Sequence, residues 1–523
     1  MKAMKFILGL VPLAACALLM ACSNDDVAAT QPATEGTEIP FTVVVNNGSA
    51  NTRASVDADL QTLKFATGDK LYISGTNISG VLDIQSGVGA ASATFSGSLT
   101  YTGGGTPASS LALTATLVSA QQTDGAEVTI AADKTVTVNY GTALCTSVDE
   151  AVKKYSLLTG SSTYGARSFT LSQGTAFLNF AITLIDGTTA GTDITATVAN
   201  VGGSSRTGSI TAITEDGKVK VKFVAPVATQ TLSGATFKIN DNPVASFGGS
   251  ATLAAKVYHI NRTLLTSSVT NYEAQDGDIL TGTGGLATHI TIADNATVKL
   301  NGVDLTTIGN SESYKWAGLT GLGDCTLILE GSNYVRGGDS SCPGIHNAPG
   351  KTLTIRGNGS LTASSNGYGV GIGGNGYTSG SSEWACGNIV IEGGTIIANG
   401  GWEKAGIGGK CGNITITGGN VTATGGTHAA GIGTSASGTC GNILISGGTV
   451  NANGSGYYDV GIGAAGDDNV HGTCGTITIT NDVTKVTAKG SVSIGANGGG
   501  VCGTITVGGE VMTSFTNPYT YEP

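Results

Sequence analysis

One short sentence is written five times in the C-terminal part of this chain, and it limits the possible folds more than any other feature. Cys386-Gly387-Asn388-Ile389-Val390-Ile391 recurs as Cys411-Gly412-Asn413-Ile414-Thr415-Ile416, as Cys440-Gly441-Asn442-Ile443-Leu444-Ile445, as Cys474-Gly475-Thr476-Ile477-Thr478-Ile479 and as Cys502-Gly503-Thr504-Ile505-Thr506-Val507. A second refrain runs between these copies: Gly371-Ile372-Gly373, Gly406-Ile407-Gly408, Gly431-Ile432-Gly433, Gly461-Ile462-Gly463 and the weaker Ser493-Ile494-Gly495. A third element opens on a glycine pair (Gly393-Gly394, Gly418-Gly419, Gly447-Gly448) and continues into a short strand such as Thr395-Ile396-Ile397-Ala398. Each unit thus holds three short strands separated by glycine corners. None is long enough to bury its own apolar face, so the units must stack on one another to make a core. Period-two alternation sends Ile389 and Ile391 to one side and Val390 and Glu392 to the other, which gives every strand one apolar face. The fold this dictates is a parallel β-helix, with like residues of successive coils about 4.8 Å apart.

Degenerate coils extend the pattern upstream. His289-Ile290-Thr291-Ile292, Thr326-Leu327-Ile328-Leu329 and Thr352-Leu353-Thr354-Ile355 match the first strand, and Ala317-Gly318-Leu319 and Pro343-Gly344-Ile345 match the Gly-Ile-Gly strand. The expectation is about eight coils within residues 272–516, from Tyr272 to Met512, forming a rod roughly 40 Å long.

At 523 residues the chain is too long for one ordinary domain, and 83 glycines with only 12% charged residues favour turn-rich β structure over helices. A formal charge of −11 speaks against nucleic acid as a partner. Residues 1–21 carry Lys2 and Lys5, then an apolar run from Phe6 to Met20, the layout of an export signal. Leu19-Met20-Ala21-Cys22 resembles the lipobox of bacterial lipoproteins, which implies lipidation of Cys22 and membrane attachment through it. Leu13-Ala14-Ala15-Cys16 also fits but would leave apolar residues at the mature start. Asp25 and Asp26 just beyond Cys22 resemble the surface-export signal of Bacteroidota lipoproteins, which implies the outer face of the outer membrane; a periplasmic orientation is the alternative. Residues 22–38 read as a flexible tether.

The column Cys386, Cys411, Cys440, Cys474 and Cys502 is expected to be a ladder of small buried thiols; disulfides within it are the competing reading, since neighbouring coils lie within bonding reach. A metal site fits less well, because single cysteines one coil apart lack Cys-x-x-Cys spacing. No cofactor is expected.

Residues 39–150 and 151–268 read as two antiparallel β-sandwich modules, a succession of short strands with polar turns, with the helical-looking stretch 147–158 at their boundary. Phe41-Thr42-Val43, then Asn51-Thr52-Arg53-Ala54, then Phe65-Ala66-Thr67-Gly68-Asp69-Lys70-Leu71-Tyr72-Ile73 resemble the opening of fimbrillin-like lipoproteins of Bacteroidales. The resemblance covers roughly residues 39–265 and implies transthyretin-like sandwiches. It also implies cleavage after Arg53 and strand addition between fimbrial subunits. The β-helix behind the sandwiches departs from a plain pilin and suits a tip, accessory or stand-alone surface protein.

The coils also resemble bacterial carbohydrate-binding proteins with Gly-Ile-Gly repeats, which implies a glycan ligand. Glycoside hydrolysis requires two carboxylates facing each other about 5–9 Å apart. Here Asp324, Glu330, Glu392, Glu403, Asp459 and Asp482 are scattered, so no catalytic residues are assigned. Asp467 and Asp468 beside His471 have oxygen ligands suited to calcium but read as a solvated loop. Gly371-Ile372-Gly373-Gly374-Asn375-Gly376 spells the dinucleotide fingerprint without a following helix, so it counts as a repeat corner. Rings recur just before the Gly-Ile-Gly strand, the third of each coil: Tyr314 and Trp316, Tyr368, Trp402, His428, then Tyr457 and Tyr458. Aligned by the coil register, they would form a strip suited to stacking on sugars. The sequence therefore describes an all-β surface lipoprotein of adhesin type. A ligand-free pilus or scaffold component is the first alternative and a polysaccharide lyase or hydrolase the second.

Overall fold

The computed structural model describes residues 36–47, 64–142, 144–201, 204–247, 251–309, 313, 315–339, 341–374, 385–467 and 469–523. The export segment, Cys22, Arg53, Tyr314, Trp384 and Asp468 lie outside the described residues. The fold is all-β: two β modules precede a parallel β-helix, the second a two-sheet sandwich as expected and the first a closed barrel instead, because its first strand pairs with its last.

The first strand shows why the N-terminal part folds as it does. In Thr37–Asn47 the alternation buries Phe41, Val43 and Val45 and leaves Val44 outside. This strand pairs antiparallel with Ser92–Tyr101 and parallel with Ser168–Gln173. Between those partners, Ile78–Ser86, Lys70–Gly75, Ala112–Val118 and Leu158–Thr163 complete a ring closed at both edges. Closure leaves no free strand edge.

The expected division at residue 150 falls inside the helix Val148–Tyr155, and the first module runs on to Gln173. The helix is no linker: Ser147 Oγ caps it by accepting the Glu150 N–H at 3.1 Å, and Ala151 packs with Cys145, Phe177, Val224 and Val257 of the second module. Periodicity showed a helix there but not which module it packs on.

In the second module, one sheet is built from Ile213–Glu215, Lys218–Ala228, Thr175–Leu184 and Val257–Leu265, and the other from Ser204–Thr211, Asp193–Val201, Ala235–Ile239 and Asn242–Phe247. Phe180 and Phe223 stack with ring centres 4.5 Å apart, and Phe237 closes on them from the opposite sheet. Thr175–Leu184 and Val257–Leu265 are parallel neighbours. On its other edge Val257–Leu265 pairs in parallel with Ile279–Thr283, a strand of the first coil. The sandwich sheet therefore continues without a break into the β-helix.

The coils stack in the register the repeats demand. Ile389, Ile414, Ile443, Ile477 and Ile505 are successive partners on one face. Ala363, Ala398, Ala423, Ala452 and Ala488 do the same on the second, and Ile345, Ile372, Ile407, Ile432, Ile462 and Ile494 on the third. These side chains form one continuous core, each fully buried isoleucine contributing about 2 kcal/mol. Among the described residues the third face has nine strands, from Asn271–Ala274 to Val492–Ala496.

Two expectations are corrected. His289–Ile292 belongs to this third face, paired with Leu319–Gly321, and Thr297–Leu305 takes the first-face place in its coil. Alternation alone has no marker of which face a strand lies on. The end also moves: Tyr519–Tyr521 pairs antiparallel with Lys485–Lys489, so the β-helix region extends past residue 516 and its tail covers the last coil.

Glycine is required on the third face. Gly373, Gly408, Gly433, Gly463 and Gly495 all have φ between +118° and +139°, and a Cβ on Gly433 would lie 1.9 Å from the Gly463 carbonyl oxygen. The described cysteines stand as free thiols, with Cys440, Cys474 and Cys502 in direct register. Burial pushes the Cys386 thiol up to about 12.

Candidate functional site

The turn that leads into the third face repeats with the coil. Gly367-Tyr368-Gly369, Trp402-Glu403-Lys404, Thr427-His428-Ala429 and Tyr457-Tyr458-Asp459 occupy equivalent places five to three residues before Ile372, Ile407, Ile432 and Ile462. Main-chain bonds stack these turns: Trp402 N–H donates to Gly367 O at 2.7 Å, Gly426 N–H to Lys404 O at 2.9 Å and His428 N–H to Tyr457 O at 2.9 Å.

In three consecutive coils the central residue of this turn is left-handed without being glycine: Glu403 at φ 57°, His428 at 56° and Tyr458 at 56°. For a residue with a Cβ this conformation costs about 1–2 kcal/mol. Below the turn, Asp459 is 2% exposed and anchors two segments: its Oδ2 accepts Gly456 N–H at 3.0 Å and its Oδ1 accepts Ser491 N–H at 2.6 Å. Lys404 is buried too, and desolvation lowers its pKa.

Above this base the rings face water: Trp402 is 56% exposed, Tyr457 70% and Tyr368 54%. Trp402 Nε1 donates to Glu403 Oε1 at 3.2 Å, and the same oxygen lies 3.7 Å from His428 Nδ1. His428 sits 5.8 Å from the Tyr458 ring, which meets Tyr457 edge-on at 4.9 Å. Trp402, Glu403, His428, Tyr458 and Tyr457 are thus one contiguous patch across three coils. Flat apolar faces beside carboxylate, imidazole and hydroxyl groups suit stacking against a sugar ring and bonding its hydroxyls.

Trp316 does not join this patch. It is half-buried, stacks on His289 with centres 5.1 Å apart and donates Nε1 to Thr288 O at 2.9 Å. The coil of Ile345–Asn347 separates it from Tyr368, and residues 337–344 ahead of that strand include no aromatic residue.

Carboxylates in the first coils hold turns. Asp294 Oδ1 accepts Asp324 N–H at 2.8 Å, Asp324 Oδ1 accepts Thr352 N–H at 2.7 Å, and Lys351 Nζ lies 3.5 and 3.7 Å from the two. Asp467 Oδ1 accepts N–H groups of Asn469 and Val470, both at 2.7 Å, folding its insertion back on itself. Among the described residues no three His, Cys, Asp or Glu side chains are grouped to hold a metal ion.

Two features escaped sequence reasoning. One is an asparagine ladder: Asn388 Oδ1 accepts Asn413 N–H at 2.9 Å, Asn413 Oδ1 accepts Asn442 N–H at 2.8 Å, and Asn442 Oδ1 accepts Thr476 N–H at 2.9 Å. Its signal was the asparagine repeated after Cys-Gly. The other is the left-handed turn, visible only as a non-glycine residue recurring four positions before the third-strand isoleucine.

With this geometry in view, a family model described as a beta helix repeat matches residues 389–413, 414–436 and 443–466. No curated protein matches the chain. Among solved structures, the chain is similar to a candidate cell adhesion protein from Bacteroides ovatus ATCC 8483, at 12% identity and a TM-score of 0.23, over 44% of this chain and 92% of that one. A candidate adhesin from the same strain matches at 11% identity and a TM-score of 0.22, over 45% of this chain and 86% of that one. A candidate cell adhesion protein from Bacteroides uniformis ATCC 8492 matches at 14% identity and a TM-score of 0.21, over 43% of this chain and 93% of that one.

Proposed function

We propose that this chain is a non-catalytic surface protein of adhesin type, in which the two β modules form a stalk and the β-helix presents the Trp402–Tyr458 patch to a glycan. Lipidation at Cys22 is its membrane tie in this reading, with the chain on the outer face of the outer membrane.

The observation that carries the reading is the left-handed φ at Glu403, His428 and Tyr458. Glycine fits such a turn without strain and is abundant in this chain, with 83 copies, yet three successive coils place larger polar or aromatic side chains there. Strain that the stack does not need is accounted for by what those side chains meet outside.

The test is a glycan array probed with the full chain and with the Trp402→Ala/Tyr457→Ala variant. Loss of about 1 kcal/mol per ring corresponds to about a fivefold drop each, so the double variant should retain its best glycan at least about 25-fold more weakly. Equal retention by both proteins overturns the reading.

A second reading is a ligand-free spacer in a pilus or scaffold, with strand addition following cleavage at Arg53. The sheet that continues from Val257–Leu265 into Ile279–Thr283 favours it, because a stalk and rod sharing one sheet make a stiff extension. Absence of binding to any glycan on the array, with the fold intact, supports this alternative.

A further inference from the structure

A second site of different chemistry lies between the two β modules. The short 3-10 turn Tyr140–Thr142, Val201 and Arg206 of the paired strands Asp193–Val201 and Ser204–Thr211, and the end of Lys218–Ala228 line a cavity of about 280 Å³. Its wall is formed by Tyr140, Val201, Arg206, Val227, Ala228 and Gln230, with Gly141 at the turn.

Among the described residues Arg206 is the one charged side chain of that wall, and it is only 7% exposed. Its guanidinium has five N–H donors. One terminal nitrogen donates to the Tyr140 carbonyl and the other to the Pro226 carbonyl, the latter at 2.7 Å. These bonds fix the fork in place but supply no negative charge. The ionisable groups acting on it are Cys145, Tyr155 and Tyr140, and burial pushes the Cys145 thiol up to about 12 while raising both tyrosines, so all three are neutral at pH 7. Desolvation in turn pushes Arg206 down to about 10.

A buried cation without a counter-charge is among the costlier arrangements a protein interior holds, and removing its solvent strengthens any anion that reaches it. A guanidinium presents donors in a fixed planar fork that matches a carboxylate. The apolar Val201, Val227 and Ala228 leave room for a short carbon skeleton, and the Gln230 amide offers a further polar contact. We propose that this cavity binds a small organic acid, with its carboxylate on Arg206.

The test uses the full chain, following its melting temperature against sodium acetate and sodium galacturonate at constant total ionic strength set with chloride. Wild type should show a saturable rise with at least one of the two, and Arg206→Gln should show none. Should Arg206→Gln fail to fold, Arg206→Lys keeps the charge but loses the fork, and it should need about tenfold more acid for the same rise. An acetate response alone identifies a free small acid as the occupant class, and a galacturonate response alone an acidic sugar. No rise above the chloride control with either acid, or an equal rise in the Arg206 variants, overturns the assignment.

Discussion

Asn413 holds Asn442 from the neighbouring coil: its side-chain Oδ1 accepts the Asn442 backbone N–H at 2.8 Å. Asn388 does the same for Asn413, and Asn442 for Thr476, so the third letter of the repeated hexapeptide is a corner clamp passed from coil to coil. Asn413→Ala removes the acceptor and should cost about 1 kcal/mol in urea unfolding, because a corner N–H at the surface falls back on water. Asn413→Asp retains an acceptor and should stay close to wild type. Equal losses in both variants would mean that the clamp is not a hydrogen bond.

The third-face glycines are expected to be far less forgiving. An alanine Cβ at Gly433 meets the Gly463 carbonyl at 1.9 Å in a backbone with φ of +135°, whereas one at Gly350, with φ of +74°, meets nothing within 4 Å. Gly433→Ala should therefore lose more than about 3 kcal/mol or fail to fold, and Gly350→Ala about 1–2 kcal/mol. Urea midpoints of the two variants side by side check this.

The thiol column predicts a fall in stability at alkaline pH. In the folded chain Cys386 is held neutral up to about 12 by burial, while in the unfolded chain it ionises near its ordinary value of 9.0. The folded-state pKa is the higher one, so the stabilisation is fully present below about pH 9 and is lost as pH rises from there toward about 12. Urea midpoints measured from pH 7 to pH 11 should decline less steeply in Cys386→Ala than in wild type. At pH 8 the buried Cys386, Cys440 and Cys474 should react with a maleimide far more slowly in the native chain than after denaturation.

How much of this was legible depended on what each signal encodes. The isoleucine columns, the cysteine column and the glycine corners could be read because a stack requires like to lie on like. His289–Ile292 went to the wrong face because alternation reports burial but not position around the coil. The helix at Val148–Tyr155 read as a boundary because its partners, Phe177, Val224 and Val257, are distant in sequence. In the ring strip, the spacing placed Trp402, His428, Tyr457 and Tyr458 at one turn of successive coils, where they lie in one patch. It could not show that Trp316 covers His289, nor that Glu403 bridges Trp402 and His428.

The most direct measurement replaces Tyr458 by glycine, which removes the ring while relieving the turn at φ 56°. Glycan retention and the urea midpoint of Tyr458→Gly are then compared with wild type. A ring kept for a ligand predicts about fivefold weaker retention together with stability equal to or higher than wild type. Unchanged retention with lowered stability would instead make Tyr458 a packing residue and contradict the account.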